Sequence, residues 1–484
     1  MKKSIIIIIA CLTLGLGFAQ EFKIETSKSF TKENEKEVYK IVFPSAYGFM
    51  TLHHLDNVMM DNTKAMVLTK YDQSMASIET KTFNLPKLGL RASDLQEVIE
   101  LEDELIFLST VMDKKTAKHQ LNVQVYSLKD NTVSDNRILA SFPIDGYSKS
   151  GFYQIAISPD NSKIAIVANM PFVKKTQEKV KVWVYNTQLN LIWEQQETLV
   201  YDSERAYNET VFLQNSGVVV MHKTTDAYKK TRQSELLTFN GSSLTTKAFS
   251  SEGFMPMQMN LIDVNGKNRL AGFFWNGKKA VVKINNKEGQ DNDGVFLYDL
   301  DAGNLIGIHE WSQTLNAKDL KSLKVVDVII NEDDIFILGE KYLYDSEFRK
   351  VGGKPSMDLD YLYTYGSSII VNLDTKGTLK SFTPLFNSKT FKNAQKEKGS
   401  FSALYLENGL RIFANNNNNN NNNNSLSFNT FFTKNKETFN YPRVTQSTMI
   451  PYILPNTVTA VKDYGMVYFI TNYGDRYWFN KMTW

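Results

Sequence analysis

Between Gly151 and Leu199 the apolar residues fall into four short runs divided by turn chemistry. Gly151 to Ile157 and Lys163 to Asn169 flank the turn sequence Ser158-Pro159-Asp160-Asn161-Ser162. Lys179 to Tyr185 alternates Val180, Val182 and Val184 with polar residues, and Leu191 to Leu199 follows. Period-two alternation over runs of this length predicts strands, and the short connections predict antiparallel neighbours. Four such strands in about fifty residues make one blade of a repeat protein.

The unit recurs. An apolar run ending near an aromatic, then a polar turn, then another strand appears at Tyr71, Tyr126, Tyr185, Phe239 and Tyr298. The spacing is about 55–60 residues. Asp, Asn and Gly fill the turns because they tolerate the tight backbone a hairpin needs. A further copy centres on Val371, after a longer interval that holds an insertion at 340–366, and others fall near Phe431 and Tyr477. The pattern predicts an all-β protein: a β-propeller of seven or eight four-stranded blades, with eight favoured. The short segment 450–484 cannot supply a whole blade, so a strand from 21–43 is expected to complete it and close the ring. No Trp-Asp dipeptide occurs, which excludes the WD-type repeat. An outer-membrane barrel is the rival, suggested by the aromatic tail Tyr473 to Trp484, but strands grouped in fours lack its sustained lipid-facing band.

Two segments break the rhythm. Residues 340–366 carry Tyr342, Tyr344, Tyr361, Tyr363 and Tyr365 around Gly352-Gly353, the pattern of a long hairpin. Its tyrosines either hold the hairpin together or form a contact surface. Ten consecutive asparagines, 415–424, have no hydrophobic pattern and read as a disordered loop.

Lys2 and Lys3, the apolar run Ile5 to Leu16 and Gly17-Phe18-Ala19 form a secretory leader, with cleavage expected after Ala19. The run is too short for a membrane span, and no second long apolar run follows, so no integral membrane insertion is expected. Cys11 lies inside the leader and is the single cysteine, so the exported chain, 20–484, has no disulfide. Ile8-Ile9-Ala10-Cys11 has the look of a lipobox, but more apolar residues follow it than such a site allows. With 55 basic against 52 acidic residues, two of the former in the leader, the exported chain is close to neutral. Nucleic acid and anionic membranes are therefore not expected partners.

The chemistry is sparse. There is no nucleophile elbow, phosphate loop, zinc-protease helix motif, dinucleotide fingerprint or sialidase box. Of the five histidines, His53 and His54 point to opposite faces of a strand and cannot share an ion. Gln290-Asp291-Asn292-Asp293-Gly294 hints at a calcium loop but lacks its acidic first ligand and downstream Glu, and reads as a polar turn between strands. Asp333-Asp334 and Asp358 with Asp360 are carboxylate pairs with no motif to select them. No catalytic residue, metal site or cofactor is assigned. Arg205, Tyr207 and Glu209 lie just before the innermost strand of a blade, where channel-mouth residues arise, and Arg205 and Glu209 join the five tyrosines as candidate binding residues.

Gly339-Glu340-Lys341-Tyr342, the run Tyr363 to Leu373 and Asp374-Thr375-Lys376-Gly377 resemble a group of exported propeller-like proteins of Bacteroidota-type bacteria, most clearly over 325–415. Ser158-Pro159-Asp160 is similar to turns in TolB-type propellers. The resemblance implies a secreted or envelope location and transfers no catalytic residues. The expected protein is a monomeric, non-enzymatic periplasmic or extracellular propeller that binds or scaffolds an envelope protein or glycan. A propeller glycan hydrolase with channel-facing carboxylates and an outer-membrane-associated structural component are the alternatives.

Overall fold

The computed structural model describes residues 23–483 except 32–36, 58–62, 89–90, 114, 145–150, 172, 174–175, 203–205, 226–232, 277–281, 285–286, 290–291, 312–322, 352–353, 386–388, 393–398, 407–408, 416–426, 432–435 and 441–451. The leader with Cys11, Arg205, Gly352-Gly353, most of the asparagine run and Gln290-Asp291 lie outside that set.

Phe152–Ile157, Lys163–Asn169, Gln177–Asn186 and Leu191–Asp202 pair in chain order, each antiparallel to the next. The four runs read from the sequence are thus four strands of one sheet. Eight sheets of four or five strands follow this plan among the described residues. In chain order they span 37–84, 94–143, 152–202, 206–248, 255–310, 323–392, 401–440 and 452–483, and are numbered 1 to 8 here. Sheet 8 consists of Tyr452–Val461, Met466–Tyr473 and Arg476–Thr483, and Lys23–Thr26 lies antiparallel to the last of these, Lys23 opposite Thr483 and Thr26 opposite Asn480.

The second strands show why the sheets stack. Lys163–Asn169 is buried along nearly its whole length, because alternate residues serve different neighbours. Ile164 and Ile166 pack with Ile106 and Leu121 of sheet 2, whereas Ala165 and Val167 pack with Leu213 and Met221 of sheet 4. Similar clusters join each sheet to the next, and one joins Leu454 and Phe479 of sheet 8 to Ile41 and Phe49 of sheet 1. First strands of neighbouring sheets touch, among them Glu37–Ser45 and Tyr452–Val461. Four-stranded antiparallel sheets packed face to face, with first strands innermost, define a β-propeller. The separate sheets form no continuous barrel wall, and no helix among the described residues is long and apolar enough to cross a membrane.

The aromatic markers Tyr71, Tyr126, Tyr185, Phe239 and Tyr298 all sit on third strands. A residue at the end of the third strand often builds the turn. Asp72 Oδ1 accepts hydrogen bonds from the amides of Ser74 (2.8 Å) and Ala76 (2.9 Å). Asn240 Oδ1 does the same for Ser242 (3.0 Å) and Ser243 (2.8 Å), and Asp374 for Lys376 (2.9 Å) and Thr378 (2.7 Å). These side chains satisfy amides that the hairpin ladder leaves over. Gly377, in the left-handed region at φ 78°, abuts Gly307 of sheet 5 so closely that a Cβ on Gly307 would stand 2.3 Å from the Gly377 carbonyl oxygen. At the head of the asparagine run Asn415 is buried. Its Oδ1 accepts from the Ile453 amide (2.7 Å) and its Nδ2 donates to the Ile453 carbonyl (2.8 Å), tying sheet 7 to sheet 8.

Candidate functional site

The tyrosine segment pairs as a two-stranded antiparallel ribbon out to Val351 opposite Lys354. It is the outward continuation of two strands of sheet 6, Asp334–Val351 and Lys354–Asp374. Their blade portion pairs from Asp334 opposite Asp374 to Glu340 opposite Ser368. A register shift follows, then Tyr342 lies opposite Tyr365, Tyr344 opposite Tyr363 and Ser346 opposite Tyr361. Directly opposed residues share a face, as do residues two apart on one strand. All five tyrosine positions therefore belong to one face of a ribbon that extends the sheet by about 30 Å. Lys389–Lys392 adds a third strand along Leu362–Tyr365.

The tyrosines at the root pack on one another. Tyr342 lies 5.3 Å from Tyr365 and 6.5 Å, nearly parallel, from Tyr363, measured between ring centres. Lys324 Nζ sits 4.3 Å over the Tyr342 ring, a cation–π contact from the first strand of the sheet. Gly399 presses against Tyr365, where a Cβ would stand 1.9 Å from the ring. Tyr361 is 40% exposed and Tyr363 half-buried. The root is thus locked, and exposure rises outward at Tyr361. The reading in which the tyrosines hold the hairpin together applies at this root.

Beneath this face lies a residue that the search for chemistry passed over. Glu340 is 6% exposed, and burial pushes its carboxyl up to about 7, against the opposing effect of hydrogen bonds with Ser400 and Ser368. Ser400 reaches it from the position just before sheet 7, with a left-handed backbone, φ 64°. Burial raises the Tyr365 hydroxyl too, with Tyr342 and Glu340 adding to the effect. A signal was present in the sequence. Phe336 and Leu338 face sheet 7, and Glu340 continues their alternation, so an acid occupies the next position of an apolar stripe.

The channel-mouth candidates lie elsewhere. Glu209 is exposed, at a bulge in Ala206–Leu213, the first strand of sheet 4; Tyr207 is opposite Thr224 in the ladder. Their sheet and the ribbon's are separated by sheet 5, so Glu209 and the tyrosines do not form one site. Next to Glu209, the sequence reading missed a buried polar network. Lys223, with no exposed surface, is paired with Glu178 and donates to Asn208 Oδ1 at 2.7 Å. Asn208 Nδ2 donates to Glu178 Oε1 (2.7 Å) and also to Asn169, whose own amide donates to Gln154 Oε1 (2.9 Å). Burial lowers the Lys223 ammonium, opposed by the charges of Glu178 and Glu235. With its hydrogen bonds and charges so closely matched, this network ties sheets 3 and 4 together. Among the described residues no group of three or more His, Cys, Asp or Glu could hold a metal.

No family model matches the chain, and no curated protein matches it. Solved structures that resemble it include the β-propeller domain of the Trilobed protease from Pyrococcus furiosus, at 10% identity over 76% of this chain and 98% of that one, with a TM-score of 0.37. The WD40 domain of SCAP from fission yeast matches at 9% identity over 96% of this chain and 94% of that one, TM-score 0.38. Acylaminoacyl peptidase of Pyrococcus horikoshii matches at 10% identity over 78% of this chain and 57% of that one, TM-score 0.36. None of them brings a site residue or an activity to this chain.

Proposed function

We propose that the protein is an eight-bladed propeller, closed by Lys23–Thr26 as the outermost strand of its last blade, that acts as a non-catalytic binding module for another protein. The tyrosine ribbon of sheet 6 is its contact surface. The observation that carries this reading is the common face of Tyr342, Tyr344, Tyr361, Tyr363 and Tyr365 on a ribbon standing beyond the blade. Tyrosine gives large contact area at low entropic cost together with a hydroxyl that hydrogen-bonds, which suits protein recognition. The eight sheets and their shared clusters support the ring. The leader read at 1–19 supports export to the periplasm or beyond, so the partner is an envelope or secreted protein. Mass measurement of the chain purified from its native cell envelope should place its first residue at Gln20; an intact Met1 terminus there contradicts export.

The rival is a hydrolase with channel-facing carboxylates. Asp327, on the first strand of sheet 6, and Glu340 both have raised carboxyl pKa values. Burial is the leading cause for Glu340, and crowding by surrounding protein at a solvent-exposed position for Asp327; neither owes its shift to a neighbouring carboxylate. Burial alone also raises the general acid of a glycosidase, so turnover stands as the second reading, and it requires a polysaccharide to be cleaved where the first requires a protein to be retained.

Capture from cross-linked envelope extract tests the reading. The wild-type chain should retain a specific protein, and the double substitution Tyr361→Ser, Tyr363→Ser should reduce its recovery at least about tenfold, the loss expected from two interface tyrosines. Tyr365 is left intact because it packs against Gly399. Recovery that is unchanged in the variant, or a glycan in place of a protein, refutes this assignment.

A further inference from the structure

The seam between sheet 8 and sheet 1 holds a cavity of about 890 Å³, far from closed packing and within the range of small-molecule sites. One wall is Tyr477 and Phe479 with the segment Ser27 to Thr31, whose Phe30 and Thr31 lie opposite Tyr477 and Arg476. The facing wall is built by the second, third and fourth strands of sheet 1, including His53, Thr69, Tyr71 and Thr80.

The sheet 1 wall departs from its counterparts in a specific way. In sheet 3 the pair Ile164 and Tyr185 is followed along the ladder by Ile166 and Trp183, and in sheet 6 Ile335 and Leu373 are followed by Ile337 and Val371. Sheet 1 begins alike, with Phe49 opposite Tyr71, but the next pair is Thr51 and Thr69. Bulk that fills those two seams is replaced by hydroxyls. They are organised: Thr51 Oγ1 and His53 Nε2 are 2.6 Å apart, and Thr69 Oγ1 and Thr80 Oγ1 are 3.2 Å apart. The aromatic side is organised as well. Phe30 stacks on Phe479 (4.6 Å, 22°) and on Tyr477 (5.7 Å, 25°), presenting near-parallel ring faces, and Tyr71 lies 4.5 Å from Phe479. Among the described lining residues Lys28 is exposed and carries the one fixed charge, with no Asp or Glu present.

We propose that this cavity is a binding site for a small planar aromatic anion. The ring slots against the aromatic stack, its polar edge meets the His53 and threonine hydroxyl wall, and its carboxylate or equivalent group lies toward Lys28. This site is independent of the tyrosine ribbon, so either assignment can fail alone.

Titration of the whole chain with 1-naphthoate, followed by calorimetry, tests it, with uncharged 1-naphthalenemethanol and aliphatic heptanoate as comparison probes. One saturable site for 1-naphthoate is expected, with heptanoate at least about tenfold weaker for want of ring stacking. Ser77 lines the cavity from an exposed position, so Ser77→Trp should fill it and weaken 1-naphthoate at least about tenfold while the thermal melt stays in place. Lys28→Gln should weaken 1-naphthoate several-fold and leave 1-naphthalenemethanol unchanged. Absence of saturable binding, or binding untouched by Ser77→Trp in a folded variant, overturns the site; equal affinity of wild type and Lys28→Gln for 1-naphthoate overturns the anionic class of ligand.

Discussion

Glu340→Gln should stabilise the protein at pH 8 by on the order of 3 kcal/mol and leave its stability at pH 5 nearly unchanged. The acid titrates at about 7 in the folded chain, against 4.5 for an unperturbed Glu. Between those values the unfolded chain releases a proton that the folded chain keeps, so the wild type loses stability as pH rises from about 4.5 through 7 and levels off above. Gln mimics the neutral acid and retains partners for Ser368 and Ser400, which removes this dependence. Urea denaturation of both chains at the two pH values measures it. A gap of equal size at pH 5 and pH 8 contradicts a protonated Glu340 at the ribbon root.

The second large effect belongs to the Lys223 network. Glu178→Gln leaves a fully buried ammonium without its hydrogen-bonded counter-charge and should cost about 3–5 kcal/mol. The deficit should shrink as pH rises and the lysine becomes neutral. Adding Lys223→Met to Glu178→Gln should recover most of the loss, because the pair together offsets its own desolvation only narrowly. Equilibrium unfolding of the two single variants and the double variant gives the coupling. A double variant that is merely as unstable as the sum of both losses would show that the two residues do not act as a pair.

Much of the architecture was legible because it is local. Val180, Val182 and Val184 alternate, and Asn186 and Asp374 follow apolar third strands, where their side chains cap the turn. Strand and hairpin are decided within a few residues. The tyrosine face was legible for the same reason, since a period of two with a turn at the middle fixes which residues share a side. What could not be read depends on contacts between sheets. Glu340 owes its environment to Ser400, sixty positions on, and Lys223 meets Glu178 from the neighbouring sheet. The cavity wall requires Phe30 to meet Phe479. No local pattern announces such meetings, and only Glu340, an acid placed in an apolar stripe, left a trace in the sequence.

Thr26 bonds Asn480 across 454 positions of chain, and that span sets an order on folding during synthesis. At about 5–20 residues per second a ribosome needs on the order of half a minute to a minute and a half between making the two. The sheets between them are built from local contacts and can form as they emerge, while Lys23–Thr26 waits without its ladder. The seam of sheets 8 and 1 is therefore the last to assemble. Until Lys23–Thr26 meets Arg476–Thr483, that last strand keeps an unsatisfied edge, the interval in which a chaperone would matter most to it.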